Sequence, residues 1–454
     1  MAKLDARNDK ETEERRSKEK VTNGRVVKGR KKRRTGTGEE KKARRSVAAS
    51  VSEKFRQRGG WLPKDQKKRR LLCLGIGFIL LFIIVMIPVG VLVLNKQNAT
   101  SSSTSGASNL DGVDVPAWAK GTYYDPFTWY DTKDFNVTVT NDTVGGLPVM
   151  GLMSTWDDSV QANPNVPPLD KKFAYGTTPI RGVNVGGWLA LEPFITPSFF
   201  DSFGSSRGVV DEYTLTKTLG SAVAATTLEK HYATFINEQT FADIRAAGFD
   251  HVRMPFSYWA VTTYKDDPYV PKISWRYLLR GIEYARKNGI RVNLDLHAVP
   301  GSQNGWNHSG RQGVIGWLNG TDGTLNGQRS LALHDQLSKF FAQDRYKNVV
   351  GIYGLVNEPK MISLPTQTVL DWTVQAISIV RKNNLTQTIT FGDGFLGIPN
   401  WKGRLQGIEN LVMDAHQYTI FNTDQIAFTH QTKLSFSCFG WAGQMSLSTN
   451  TATG

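Results

Sequence analysis

The stretch Val349-Val350-Gly351-Ile352-Tyr353-Gly354-Leu355-Val356-Asn357-Glu358-Pro359 is almost wholly apolar until it ends in an amide, a carboxylate and a proline. Near-continuous apolar runs of this length belong to strands buried on both faces, which occur in parallel sheets covered by helices. Five other runs share the pattern, at residues 180–188, 251–256, 290–297, 388–391 and 411–416. Helix-like periodicity fills the gaps at 226–247, 274–288, 330–346 and 367–383. Strand–helix alternation of this kind predicts an α/β fold with a parallel sheet.

Two arrangements compete, an open doubly wound sheet and a (β/α)8 TIM barrel. The strand ends decide between them. Trp188 and Glu192, Arg253, Asp295 and His297, Asn357 and Glu358, and His416 and Tyr418 all lie where a run hands over to its loop. Polar groups contributed by many strand ends describe a barrel's catalytic face. An open sheet concentrates them at one switch point. The predicted fold is therefore a TIM barrel, with about six of its eight βα units present.

Outward from this core the chain changes character. Its 454 residues carry a net charge of +15, which invites a nucleic-acid reading. The charge is not spread evenly. Residues 1–70 hold 26 Lys/Arg against 10 Asp/Glu, and residues 71–454 hold 29 against 30. The basic excess belongs to one tail, so a nucleic-acid-binding domain is excluded as the main reading. That tail is poor in large apolar residues and is expected to be disordered.

Residues 71–94, opening on Leu71 and closing on Leu94, contain no charge. A helix of that length spans about 36 Å, enough to cross a bilayer with some tilt. Lys67, Lys68, Arg69 and Arg70 abut one end, and only Lys96 lies near the other. The positive-inside bias then predicts a single-pass type II membrane protein, with a cytosolic tail and residues 95–454 in the lumen or outside the cell. Residues 95–115 read as a Ser/Thr-rich stalk, and 116–454 as the barrel domain. N-glycosylation sequons at Asn98, Asn136, Asn141, Asn319 and Asn384 fall on the outer side. Asn307 also heads a sequon, but it sits inside a substrate-face loop and is taken as a chance match.

Two Cys exclude a disulfide-stapled scaffold, and no Cys-x-x-Cys pair or phosphate-binding glycine motif is present. His297 and His416 lack the close spacing of a metal pair, so neither metal nor cofactor is expected.

Four motifs join 355–359 in order. They are Arg181-Gly182-Val183-Asn184-Val185-Gly186-Gly187-Trp188, Leu191-Glu192-Pro193, Asp295-Leu296-His297 followed by Pro300-Gly301-Ser302-Gln303-Asn304-Gly305, and Asp414-Ala415-His416-Gln417-Tyr418. Together they resemble glycoside hydrolase family 5, most closely its membrane-anchored fungal exo-β-1,3-glucanases. The resemblance spans residues 160–454 and implies a retaining hydrolase that releases glucose from the non-reducing end of β-1,3-glucan during cell-wall remodelling. It makes Glu358 the acid/base and places Asn357 on the sugar 2-hydroxyl. Arg253 supports the nucleophile, Glu192 holds the non-reducing glucose, and His297, His416 and Tyr418 line the same subsite. Trp306 and Trp441 are candidates for stacking on sugar faces, or are ordinary core aromatics.

Three features depart from the pattern. Ala298 stands where Gly is usual, and His308 where Asn is usual. The strand-seven Gly-Glu-Trp motif, which supplies the nucleophile, is absent. The resemblance therefore implies a chain that does not turn over unaided, with its nucleophile and a partner for Cys438 expected beyond Gly454. Other linkages, transglycosylation, and non-catalytic glucan binding at a membrane stay open as alternatives.

Overall fold

The structure, a computed structural model, describes residues 114–128, 139–152 and 155–443. The predicted tail, the span at 71–94, and the sequons at Asn98 and Asn136 lie outside the described residues. Among the described residues no helix is long and apolar enough to cross a membrane.

Six strands form one parallel sheet: β1 (Gly182–Asn184), β2 (His251–Ser257), β3 (Arg291–Ala298), β4 (Val350–Gly354), β5 (Thr388–Gly392) and β6 (Leu411–Asp414). Their spatial order is their chain order, β1-β2-β3-β4-β5-β6, and every pairing is parallel. A doubly wound sheet reverses direction at a switch point, and this one does not. It is a partial parallel half-barrel, consistent with the (β/α)8 arrangement.

The inner strands β2 and β3 are apolar because both their faces are covered, whereas the edge strands β1 and β6 are partly exposed. In β2 only Arg253 escapes full burial, and in β3 only Asn293. The helices of eight or more residues are α1 (Glu212–Leu219), α2 (Ser221–Thr234), α3 (Glu238–Ala246), α4 (Ile273–Lys287), α5 (Gly323–Phe341), α6 (Thr366–Lys382) and α7 (His430–Phe439). Between β5 and β6 the connection carries a short 3₁₀ turn, Ile398–Trp401.

Several boundaries correct the sequence reading. The single helix expected over 226–247 is two, because Asn237 adopts an extended backbone and its side chain accepts from Thr240 N. Asx residues favour such helix starts over helix interiors. Helix α5 starts at Gly323, seven residues before its predicted start at 330. Its glycines hide the helical signal. Gly323 has no room for a side chain, since a Cβ there would meet the backbone carbonyl carbon of Leu318 at 2.8 Å. The run 180–188 contributes only three residues to the ladder.

Buried tryptophans tie the layers together while satisfying their N–H groups. Trp188 Nε1 donates to Tyr232 O at 2.8 Å, and Trp275 Nε1 to Pro148 O at 3.0 Å. Trp317 and Trp372 each donate to Ser330 Oγ at 2.9 Å. The sheet's C-terminal ends are left free to carry polar chemistry.

Candidate active site

Beyond β4 the chain stays threaded between its neighbours. Leu355 N donates to Thr390 O at 3.0 Å, and Asn357 N to Leu296 O at 3.0 Å. Glu358 then takes a left-handed backbone, φ +46°. For a non-glycine residue this costs roughly 1–2 kcal/mol, so the surroundings must enforce it. The buried loop after β3 does so. Gln303 Nε2 donates to both His297 O and Asn357 O at 2.8 Å, and Asn304 Nδ2 donates to Glu358 O at 3.2 Å. On the far side Gly392 leaves the gap that Pro359 enters, since a Cβ there would sit 3.2 Å from Pro359 Cδ.

Both carboxylate oxygens of Glu358 are engaged. His416 Nδ1 lies 2.6 Å from Oε1, and His308 Nε2 lies 3.3 Å from Oε2. His416 reaches Asp414 Oδ2 with its other nitrogen at 3.2 Å, and so bridges two carboxylates. Burial pulls the His416 imidazole down, but hydrogen bonds to Asp414 and Glu358 outweigh it and lift the group to about 10. Burial likewise pushes the Glu358 carboxyl up, and the hydrogen bond from His416 and the neighbouring imidazoles hold it below its ordinary value. At neutral pH the pair is imidazolium and carboxylate.

A second network lies beside the first. Asp295 Oδ2 accepts from Arg253 Nη2 at 2.9 Å and from His297 Nδ1 at 2.6 Å. Arg253 Nη2 also donates to Asn357 Oδ1 at 2.7 Å. Asn357 Nδ2 lies 3.5 Å from His297 Nε2. The proton of a neutral His297 is therefore on Nδ1, toward Asp295. Burial works against ionised Asp295, yet Arg253 and His297 keep its carboxyl below its ordinary value. Arg253, expected beside a nucleophile, here serves Asp295 and Asn357.

Glu192 faces the same cluster. Burial raises its carboxyl pKa, opposed by the charges of His297 and Arg253. Tyr418 is 43% exposed and lines a groove with Arg253, Asp414 and His416. Trp306 stands beside His308, the residue that reaches Glu358. Its ring packs edge-on against Phe395 at 5.1 Å and tilts over His308 at 5.6 Å, with Lys360 Nζ 5.3 Å from its centroid. Trp441 lines neither this cleft nor the groove. Its ring rests on Phe436, 5.0 Å away, near the end of α7.

Eight of the sequence candidates thus converge, namely Glu192, Arg253, His297, Trp306, Asn357, Glu358, His416 and Tyr418. The sequence reading gave no role to Asp295, Asp414, Gln303 or Asn304, although all four stand inside its motifs. A carboxylate two residues before a strand-end His was the available signal for both Asp residues. Cys438 is an exposed free thiol. Asn141, Asn319 and Asn384 are exposed, whereas Asn307 is partly buried in the cleft loop.

This arrangement presents one ionised carboxylate, proton donors on both its oxygens, and a polar floor suited to hydroxyl groups. The sequence pattern of the Cellulase family (glycosyl hydrolase family 5) matches residues 216–444. The chain is 57% identical over 441 residues to a "Probable glucan 1,3-beta-glucosidase D" of Aspergillus fumigatus, covering 95% of this chain and 52% of that protein. It is 54% identical over 449 residues to the protein so named in Aspergillus niger, covering 95% and 54%. It spans about half the length of these curated relatives. A solved rutinosidase from Aspergillus niger superposes with a TM-score of 0.50 at 25% identity, covering 55% of this chain and 72% of that one. With that pattern matched over half its length and its strand ends converging on Glu358, the chain belongs to glycosyl hydrolase family 5.

Proposed function

We propose that this protein is a retaining glycosidase that releases glucose from the non-reducing end of β-1,3-glucan, with Glu358 as its acid/base. The observation that carries the reading is Glu358 itself, fixed at a strand end with its two oxygens held by His416 and His308. The names of the Aspergillus relatives support the substrate.

In a retaining reaction the acid/base protonates the leaving oxygen while a second carboxylate, about 5–5.5 Å away, attacks the anomeric carbon. The same residue then takes a proton from the water that hydrolyses the glycosyl intermediate. Asn357 and His297 offer polar atoms to the sugar at the cleavage point, and Glu192 offers a carboxyl to the terminal glucose. Glu358 as it stands is in its base form, because His416 favours the ionised carboxyl. A nearby second carboxylate disfavours ionisation and would return the proton. The Gly-Glu-Trp motif is absent from these 454 residues. We therefore infer that they do not turn over glucan unaided.

We also place this cleft on the outer side of a plasma membrane, with residues 71–94 as the anchor and Lys67 to Arg70 on the inner side. Protease treatment of intact cells tests this. Loss of the cleft domain is expected, and protection of it overturns the placement.

The functional test is glucose release from a laminarin-type β-1,3-glucan by the full-length protein and its Glu358→Gln variant. A fall of about 10²–10⁴-fold is expected for loss of general acid–base catalysis. Undiminished release sinks the assignment. Preference for a β-1,6-glucan in the same assay moves the linkage and leaves the role of Glu358 intact.

A further inference from the structure

His308 occupies the short 3₁₀ turn Asn307–Ser309. The turn is held from both sides. Trp306 N donates to Asn304 Oδ1 at 2.9 Å, Ser309 Oγ donates to Trp306 O at 2.8 Å, and Ser309 Oγ meets Ser302 Oγ at 2.6 Å. The imidazole is thereby fixed against Glu358, and its side chain is 17% exposed.

The two ring nitrogens are unlike. Nε2 lies 3.3 Å from Glu358 Oε2. Nδ1 is buried and has no hydrogen-bond partner among the described residues. A proton on Nδ1, in the other tautomer or the imidazolium, would bury an N–H without an acceptor, which costs about 1–3 kcal/mol. A proton on Nε2 alone leaves only a lone pair at Nδ1 and puts a donor on the carboxylate. Burial also drives the group down to about 4, so the ring is neutral at physiological pH.

We propose that His308 is a positioning residue for Glu358: its neutral imidazole donates Nε2–H to Oε2, fixes the carboxylate in the cleft and favours its ionised form. With His416 on Oε1, the carboxylate is held at both oxygens by donors of different charge. The inference rests on Glu358 being the acid/base and adds a second controller of its proton. The other charged and titratable groups facing the pair are His297, Asp295, Arg253, Glu192, Asp393, Asp414, His416 and Tyr418, with Lys360 over the Trp306 ring.

Removing a hydrogen bond to a carboxylate raises its pKa. The full chain, carrying ¹³C-carboxyl glutamate, is titrated by NMR as wild type, His308→Ala and His308→Gln, with the Glu358 signal assigned by its loss in Glu358→Gln. His308→Ala should move the Glu358 midpoint up by about one pH unit, near the worth of one hydrogen bond to a charge. His308→Gln, which retains an N–H donor, should return most of the shift. An unmoved midpoint in His308→Ala, or an equal shift in both variants, overturns the proposal. A second measurement needs no variant. Long-range ¹H–¹⁵N spectra of the wild type should show His308 as the Nε2–H tautomer from pH 6 to 8, and an Nδ1–H tautomer or imidazolium there overturns it. Neither readout uses a sugar, so a full-length protein inert toward glucan would defeat the proposed function without deciding this test.

Discussion

His416 Nδ1 stands 2.6 Å from Glu358 Oε1 while its Nε2 stands 3.2 Å from Asp414 Oδ2. The imidazole joins the end of β6 to the loop after β4. It is held as a cation by two carboxylates, and it keeps one of them ionised.

Replacing His416 with Gln is the first prediction. The variant should lose about 2–4 kcal/mol at pH 7, because it leaves two partly buried carboxylates without their cation. The pH dependence has a definite sign. His416 is raised in the folded state, so its contribution is complete below the ordinary His value and is lost as pH climbs through about 10. Urea unfolding at pH 6 and pH 10 should show the wild-type advantage shrinking toward the higher pH. An equal deficit at both would remove the charge-based account.

How much of this could be read from the sequence depends on the residue. His297, Asn357, Glu358 and His416 close apolar runs, and an ionisable group at the end of a buried strand has few other uses. Arg253, expected at a strand end, is instead the third residue of the seven-residue β2. The order of the sheet followed from the same runs. Gln303, Asn304 and His308 carry no periodicity, since their positions are set by contacts across the β3–β4 gap. The break at Asn237 had a local signal, an Asn three residues before Thr240, which helical periodicity on both sides obscured. The run at 180–188 overstates β1, because Leu189 touches β2 only through an isolated bridge to Phe256.

Gln303 is the second target. It is fully buried, and its amide N donates to two carbonyls on neighbouring strand ends. Gln303→Leu keeps the volume and strands both acceptors, at about 1–3 kcal/mol each. Urea denaturation should report a loss of about 2–4 kcal/mol. In the full-length protein kcat should fall more than KM rises, because the Glu358 backbone loses its support. A wild-type kcat would show that Gln303 does not position Glu358.

Glycan occupancy provides the third. If the domain lies outside the cell, exposed Asn141 and Asn384 should be occupied. Asn307, partly buried in the cleft loop, should not. Asn319 is exposed, but its Nδ2 donates to Ile315 O at 2.8 Å, so occupancy there requires breaking that bond and should be the lowest of the exposed three. Peptide mass spectrometry after enzymatic deglycosylation in heavy-oxygen water reads all four. Full occupancy at Asn307 contradicts the packing of its loop.

The last prediction concerns Arg253 and Asp295. One guanidinium nitrogen serves both Asp295 and Asn357, at 2.9 and 2.7 Å. Arg253→Met keeps much of the stem's packing and removes the charge, leaving buried Asp295 with only His297 as donor. Breaking a buried pair in this way costs about 3–5 kcal/mol. The carboxyl of Asp295 lies below its ordinary value in the wild type, because Arg253, His297 and His416 together outweigh burial. Its stabilising contribution is thus present above the unfolded Asp value and is lost as pH falls through the folded one. The variant weakens that dependence, since burial is then opposed only by His297 and His416. The deficit of Arg253→Met should be largest near pH 7 and shrink toward pH 4 in urea unfolding. A deficit independent of pH would assign the loss to packing of the arginine stem instead of its charge.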